Sequence, residues 1–195
     1  MKRITIVVAV LFAVTATGLA FSGDGGRQFR EFLTGIKEAA APIATTGNGT
    51  FEATISNDET EINYVLTFKE LEGEVRQAHI HIGYPQNSGG IVLWLCDSAT
   101  NPSPTPLTTP HCTDNDPSNL HDGRVTGTLT AADVRAQAGN GIEGPTPAEW
   151  SQLLELVRAG RTYANVHSSK FPGGEIRSQL DNGDDDNDDH GHHDH

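Results

Sequence analysis

The stretch Ile62-Asn63-Tyr64-Val65-Leu66-Thr67-Phe68 sets Ile62, Tyr64, Leu66 and Phe68 at every second position. Period-two alternation puts one set of side chains on one face of a strand and the rest on the other, so this run reads as a half-buried β-strand. The pattern recurs on both sides of it: Phe51, Ala53 and Ile55 before, Val125 with Leu129 and Ile176 with Leu180 after. Ile91 to Leu95 is apolar throughout and reads as a central strand covered on both faces. Turn-forming clusters at Ser56 to Glu59, Tyr84 to Gly90 and Phe171 to Gly174 separate the runs. Many short antiparallel strands most readily build an all-β sandwich.

Two short helices are expected to interrupt this pattern. Thr130 can cap a segment Ala131 to Ala138. Thr146-Pro147-Ala148-Glu149 combines an N-cap, proline at the first helical position and a capping-box glutamate. Trp150, Leu153, Leu154 and Val157 then follow at i, i+3, i+4 and i+7, and Gly160 ends the helix. Its apolar face should cover one end or edge of the sandwich.

The chain has 195 residues, of which 21 are glycine and 10 proline, and this fits one domain with one core. A net charge of -13 with no basic patch argues against nucleic acid and anionic lipid as partners. Lys2 and Arg3 precede the apolar run Ile4 to Val14, and Gly18-Leu19-Ala20 supplies small residues, so residues 1–20 read as a secretory signal peptide. The mature chain would be secreted or periplasmic, with no membrane attachment after cleavage. Outside the cytoplasm thiols tend to pair, and one disulfide, Cys96 to Cys112, is expected around a loop rich in proline. The last fifteen residues, 181–195, carry seven Asp and four His without an apolar side chain and are expected to be disordered. Such a tail either solubilises the chain or collects divalent ions through His190, His192, His193 and His195. An EF-hand reading fails for want of the loop glycine and terminal glutamate.

Five histidines remain in the body: His79, His81, His111, His121 and His167. In Ala78-His79-Ile80-His81-Ile82 a strand sends both imidazoles to one face and the alkyl groups to the core. Tyr163, Asn165 and His167 likewise share the face opposite Thr162, Ala164 and Val166. If the two strands are neighbours, His79, His81 and His167 form a three-imidazole site suited to copper or zinc, with His121, His111, water or nothing as a fourth ligand. Only neutral imidazoles bind metal, so affinity is expected to fall below the ordinary histidine pKa of ~6.5. The same spacing also suits side chains that merely hydrogen-bond to water or to a neighbouring loop. Arg177 and Glu175 share a strand face with Gln179 and read either as a solvated pair or, for Arg177, as an anion guide beside the imidazoles. No serine-histidine-aspartate order, phosphate loop or Cys-x-x-Cys motif is present.

Several separated motifs occur together. They are Phe32-Leu33-Thr34-Gly35 with Glu38 and Pro42, His79-Ile80-His81-Ile82-Gly83 with Gly90-Ile91-Val92, Gly127-Thr128-Leu129-Thr130, and Tyr163-Ala164-Asn165-Val166-His167 with Pro172-Gly173-Gly174-Glu175-Ile176-Arg177. In this order, over residues 28–180, they resemble the CHRD domain first described in chordin. That domain is similar to copper/zinc superoxide dismutase, so the resemblance implies a Greek-key, immunoglobulin-like β-sandwich. It implies copper histidines at 79, 81 and 167 and an anion-guiding role for Arg177. The chain departs from the dismutase in lacking a legible zinc loop between His81 and Arg124 and in the placement of its cysteines. Three functions are therefore open: a metal-binding exported domain, a dismutase-like copper enzyme, or a module that binds an extracellular protein.

Overall fold

A computed structural model describes residues 27–104 and 109–181. The expected signal peptide, and the expected tail beyond Asp181, lie outside the described residues. Eight strands carry the fold: β1 (Gln28–Thr34), β2 (Asn48–Ile55), β3 (Glu61–Lys69), β4 (Val75–Ile82), β5 (Ile91–Cys96), β6 (Gly123–Thr130), β7 (Thr162–Ser168) and β8 (Ile176–Gln179). All their pairings are antiparallel, in the order β5-β4-β7-β8-β1-β2-β3-β6. The sheet curls until its two end strands approach, and Tyr64 on β3 donates its hydroxyl to the Leu95 carbonyl on β5 at 2.5 Å. The result is a mostly β, nearly closed sheet with one α-helix.

The alternating residues face inward as their spacing requires. Phe51, Ile55, Ile62, Leu66, Phe68, Ile80, Leu95 and Ile176 are all buried in one cluster. Helix α1 (Pro147–Arg158) starts at Thr146, whose hydroxyl accepts from Glu149 N. The Glu149 carboxylate caps Glu143 N rather than the Thr146 amide, so the capping box is only half formed. Trp150, Leu153, Leu154 and Val157 are buried as their helical spacing indicates, and Gly160 at φ +63° ends the turn. Trp150 Nε1 donates to Glu59 O, which ties the helix over the β2–β3 turn. Among the described residues no helix is long and apolar enough to cross a membrane.

Two sequence expectations are corrected here. The segment Ala131 to Ala138 is not a helix: Thr130 and Asp133 form a capping box around a single 3-10 turn, Ala131–Asp133. After that turn Val134 buries its side chain in extended backbone, and Arg135 N donates to Val92 O, so tertiary contact overrides the local helical signal. Nor is Ile91 to Leu95 a central strand. β5 ends the strand order, and its free edge is covered by Arg135 and by Gln137, whose Nε2 donates to Ile91 O. A continuous apolar run reports covered faces; it does not report paired edges.

Cys96 and Cys112 form the expected disulfide, closing a loop of sequence separation 16. His111 Nδ1 meets Asp97 Oδ1 inside that loop at 2.5 Å.

Candidate metal centre

Strands β4 and β7 are neighbours, with His79 opposite Asn165, His81 opposite Tyr163 and Gln77 opposite His167. Cross-strand and diagonal neighbours on one face lie within side-chain reach, so three imidazoles far apart in sequence meet. Their candidate ligand atoms all lie within 4.8 Å of one another. Ala78, Ile80, Ile82, Ala164 and Val166 point the other way, into the core.

The imidazoles do not lie on a solvated outer surface. His79, His81 and His167 are 0%, 7% and 6% exposed. Two turn segments, Gly83 to Gly90 and Ser169 to Glu175, fold over this face, and the Trp94 ring stands edge-on to His79 at 4.3 Å. These side chains therefore do not meet water, but two of them do hydrogen-bond to the neighbouring loops, His81 to Gly89 O and His167 to Pro172 O.

Hydrogen bonding assigns the protons. A carbonyl can only accept, so His81 Nδ1, 3.0 Å from Gly89 O, and His167 Nδ1, 2.9 Å from Pro172 O, each carry hydrogen. In the neutral rings both Nε2 atoms are then lone pairs. His79 Nδ1, 3.2 Å from His167 Nε2, must donate to it, which leaves His79 Nε2 a lone pair as well. The Nε2 atoms of His79 and His81 are buried and have no hydrogen-bond partner. Orphaned buried nitrogens cost roughly 1–3 kcal/mol each unless something accepts their electrons.

Burial also keeps the site neutral. It lowers the pKa of His79 to about 2, helped by the neighbouring His167 and His81, and that of His81 to about 4, against a contrary bond to Gly89. His167 is lowered by burial too, partly offset by Pro172. Protons therefore compete poorly for these nitrogens until well below the ordinary histidine range, which is where an acid loss of any bound metal would fall.

The surrounding groups hold this arrangement. Tyr163 stacks on His81 with ring centroids 4.8 Å apart and accepts from Gly89 N at 2.9 Å. Arg177 lies over the Tyr163 ring, its guanidinium carbon 3.3 Å from the centroid. Its Nη1 donates to Asn87 O and its Nη2 to Tyr84 O, at 3.0 and 2.9 Å. Arg177 thereby pins the turn that supplies the Gly89 carbonyl to His81. Arg177 and Glu175 are buried, 2% and 0% exposed, so the reading of a solvated pair is wrong. Glu175 Oε1 instead accepts from Thr45 Oγ1 and Glu72 N. The reason is the curl of the sheet, which brings covering segments over faces that an isolated strand would leave wet.

Asn165, between Tyr163 and His167, donates Nδ2 to Glu38 Oε1 at 2.6 Å. Burial raises the Glu38 carboxyl to about 7, against the Asn165 bond and the Arg177 charge, which both lower it. His121 and His111 do not join the cluster: His121 Nδ1 is 2.7 Å from Leu71 O, and His111 pairs with Asp97.

Trp94, Gly89 and Pro172 are the contributors that sequence reasoning missed. Trp94 was hidden in an apolar run, and the other two act through backbone carbonyls that no side-chain motif records. Gly89 is nonetheless testable, because a Cβ there would lie 1.6 Å from Ile82 O. Gly89→Ala is expected to displace the turn and release His81 Nδ1. By analogy with lost outer-shell partners, metal affinity should fall by roughly 10- to 100-fold, measurable by chelator competition.

No curated protein and no solved structure matches this chain. The CHRD domain model matches residues 29–180, a span that runs from β1 through β8 and contains all three clustered histidines. By that match the chain belongs to the CHRD domain family.

Proposed function

We propose that this chain is an exported CHRD-domain protein that holds one transition-metal ion, copper or zinc, between His79, His81 and His167. The observation that carries the reading is the pair of buried, unpartnered Nε2 lone pairs in a cluster of three neutral imidazoles. An apolar or water-facing role would not favour such nitrogens, whereas coordination would satisfy them, with His167 Nε2 exchanging its bond from His79 Nδ1 for the metal. The Gly89 and Pro172 carbonyls act as outer partners that fix tautomer and ring orientation. Bound there, copper or zinc would supply Lewis acidity, and copper also one-electron chemistry.

The fold likeness to the dismutase is part of the same proposal. Counting the approach of β5 to β6 as closure, β7 returns to lie beside β4, and β6 beside β3, the crossovers of a Greek key. A dismutase-like activity is less well supported. Arg177 is nearly fully buried and donates to two loop carbonyls, an arrangement that suits holding the loop better than meeting an incoming anion. A purely adhesive role for the domain leaves the orphaned nitrogens without a reason. Export is supported by the leader pattern, and the Cys96–Cys112 disulfide is consistent with an oxidising compartment.

Trp94 offers the test. Copper added to the metal-free chain, with His190, His192, His193 and His195 replaced by asparagine, should quench Trp94 emission and saturate at one equivalent. Trp94→Phe should remove the change, since Trp150 is held elsewhere, on Glu59. Quenching that survives the double substitution His79→Leu and His167→Leu would refute the site.

A further inference from the structure

The strongest unexplained feature of the cluster is its charge. It gathers three neutral donors, and among the described residues no carboxylate or thiolate joins them. Both cysteines are in the disulfide. Glu38, the carboxylate that reaches this network, is bonded to Asn165 and to no imidazole. The one fixed charge in the surrounding stack is positive: Arg177 rests on Tyr163, which rests on His81. We propose that these juxtaposed groups select a monovalent ion, Cu(I), over Cu(II) and Zn(II), and that the charge of Arg177 contributes to the preference. This inference rests on the metal reading above and deepens it.

Burying an ion costs free energy that grows with the square of its charge, so a divalent ion pays about four times what a monovalent one pays in the same surroundings. Most metal sites repay that cost with thiolate or carboxylate ligands, and this one contributes none. Arg177 remains protonated at any ordinary pH, and its repulsion is twice as large for a divalent ion. The coordination number points the same way. Cu(II) prefers a tetragonal set and structural zinc is closed by four ligands, whereas the described cluster offers three imidazoles; against zinc that completes three histidines with a water, the charge is what discriminates.

The experiment uses the full chain with the four tail histidines replaced by asparagine. Cu(I), kept reduced by ascorbate, is titrated against a cuprous chelator, and Cu(II) and Zn(II) against their own chelators. Cu(I) is expected to bind at least 100-fold more tightly than Cu(II), which raises the couple by about 120 mV over the free ions at ~59 mV per tenfold. Arg177→Gln should reduce that ratio about tenfold, whereas Arg177→Lys, which keeps the charge but loses the paired carbonyl bonds, should leave it largely intact. Equal or tighter binding of Cu(II) or Zn(II) at His79 and His167 overturns the inference and leaves the metal reading standing. Lys and Gln variants with the same ratio overturn the role given to Arg177. Failure of every ion to bind in a manner dependent on His79 and His167 overturns the metal reading itself. If either variant does not fold, the order of affinities in the parent chain still decides the preference.

Discussion

His79→Leu is expected to abolish stoichiometric metal binding and yet to make the metal-free protein more stable in acid. His79 is fully buried against Trp94, and its Nε2 has no partner. Near pH 7.5 the substitution should be close to neutral. It removes one orphaned nitrogen but strands His167 Nε2, which now accepts from His79 Nδ1. Below about 6.5 the two proteins part. The unfolded parent takes up a proton on His79, whereas the folded parent, with its pKa lowered to about 2 by burial, does not. Parent stability therefore falls as pH falls through this window, by ~1.4 kcal/mol per pH unit for this one group. The leucine variant escapes that loss and should gain about 2 kcal/mol on the parent at pH 5, read from urea unfolding at both pH values. Glu38 acts in the opposite sense, since folding raises its pKa to about 7, and Glu31 is raised by burial too, but both are common to the two proteins and cancel in the comparison. A histidine retained for structure alone would give lower stability in the variant at both pH values.

The second large effect concerns the disulfide. Cys96 and Cys112 are both fully buried, and the bond anchors the loop that leaves the end of β5. Replacing both cysteines by serine is expected to lower stability by roughly 3 kcal/mol through loop entropy regained in the unfolded chain. Metal affinity should change little, because Cys96 pairs with Ala78 while His79 pairs with Trp94, so the imidazoles keep their own strand contacts. Chemical unfolding with and without reductant, alongside a metal titration, separates the two effects. Equal stability of the oxidised and reduced proteins would contradict the expectation.

What was legible in the sequence follows from what each signal reports. Alternation found β2, β3, β6 and β8, because one face of each is apolar and the other polar. The three histidines were legible because strand geometry fixes which side chains share a face. That they would be buried was not legible: the cover comes from backbone carbonyls of two turns, and a carbonyl leaves no mark in the side-chain pattern. The strand β1 was missed for a different reason. Glu31 lies between Phe29 and Leu33 on the inward side, and Phe32 points outward at 54% exposure, so the alternation is broken on both faces. The fold tolerates Glu31 because its carboxylate accepts from Ser178 Oγ and Asp181 N, partners about 150 residues away in sequence. The Ala131 to Ala138 segment failed in the opposite way, since a genuine cap at Thr130 starts a turn that the β5 edge then captures.

The most direct test of the account is X-ray absorption spectroscopy of the metal-loaded chain with its four tail histidines replaced by asparagine. It should show a first shell dominated by three imidazole nitrogens at about 2.0–2.1 Å, lost in His79→Leu. A shell built mainly from oxygen, or one that survives unchanged without His79, would contradict a metal centre at these three residues.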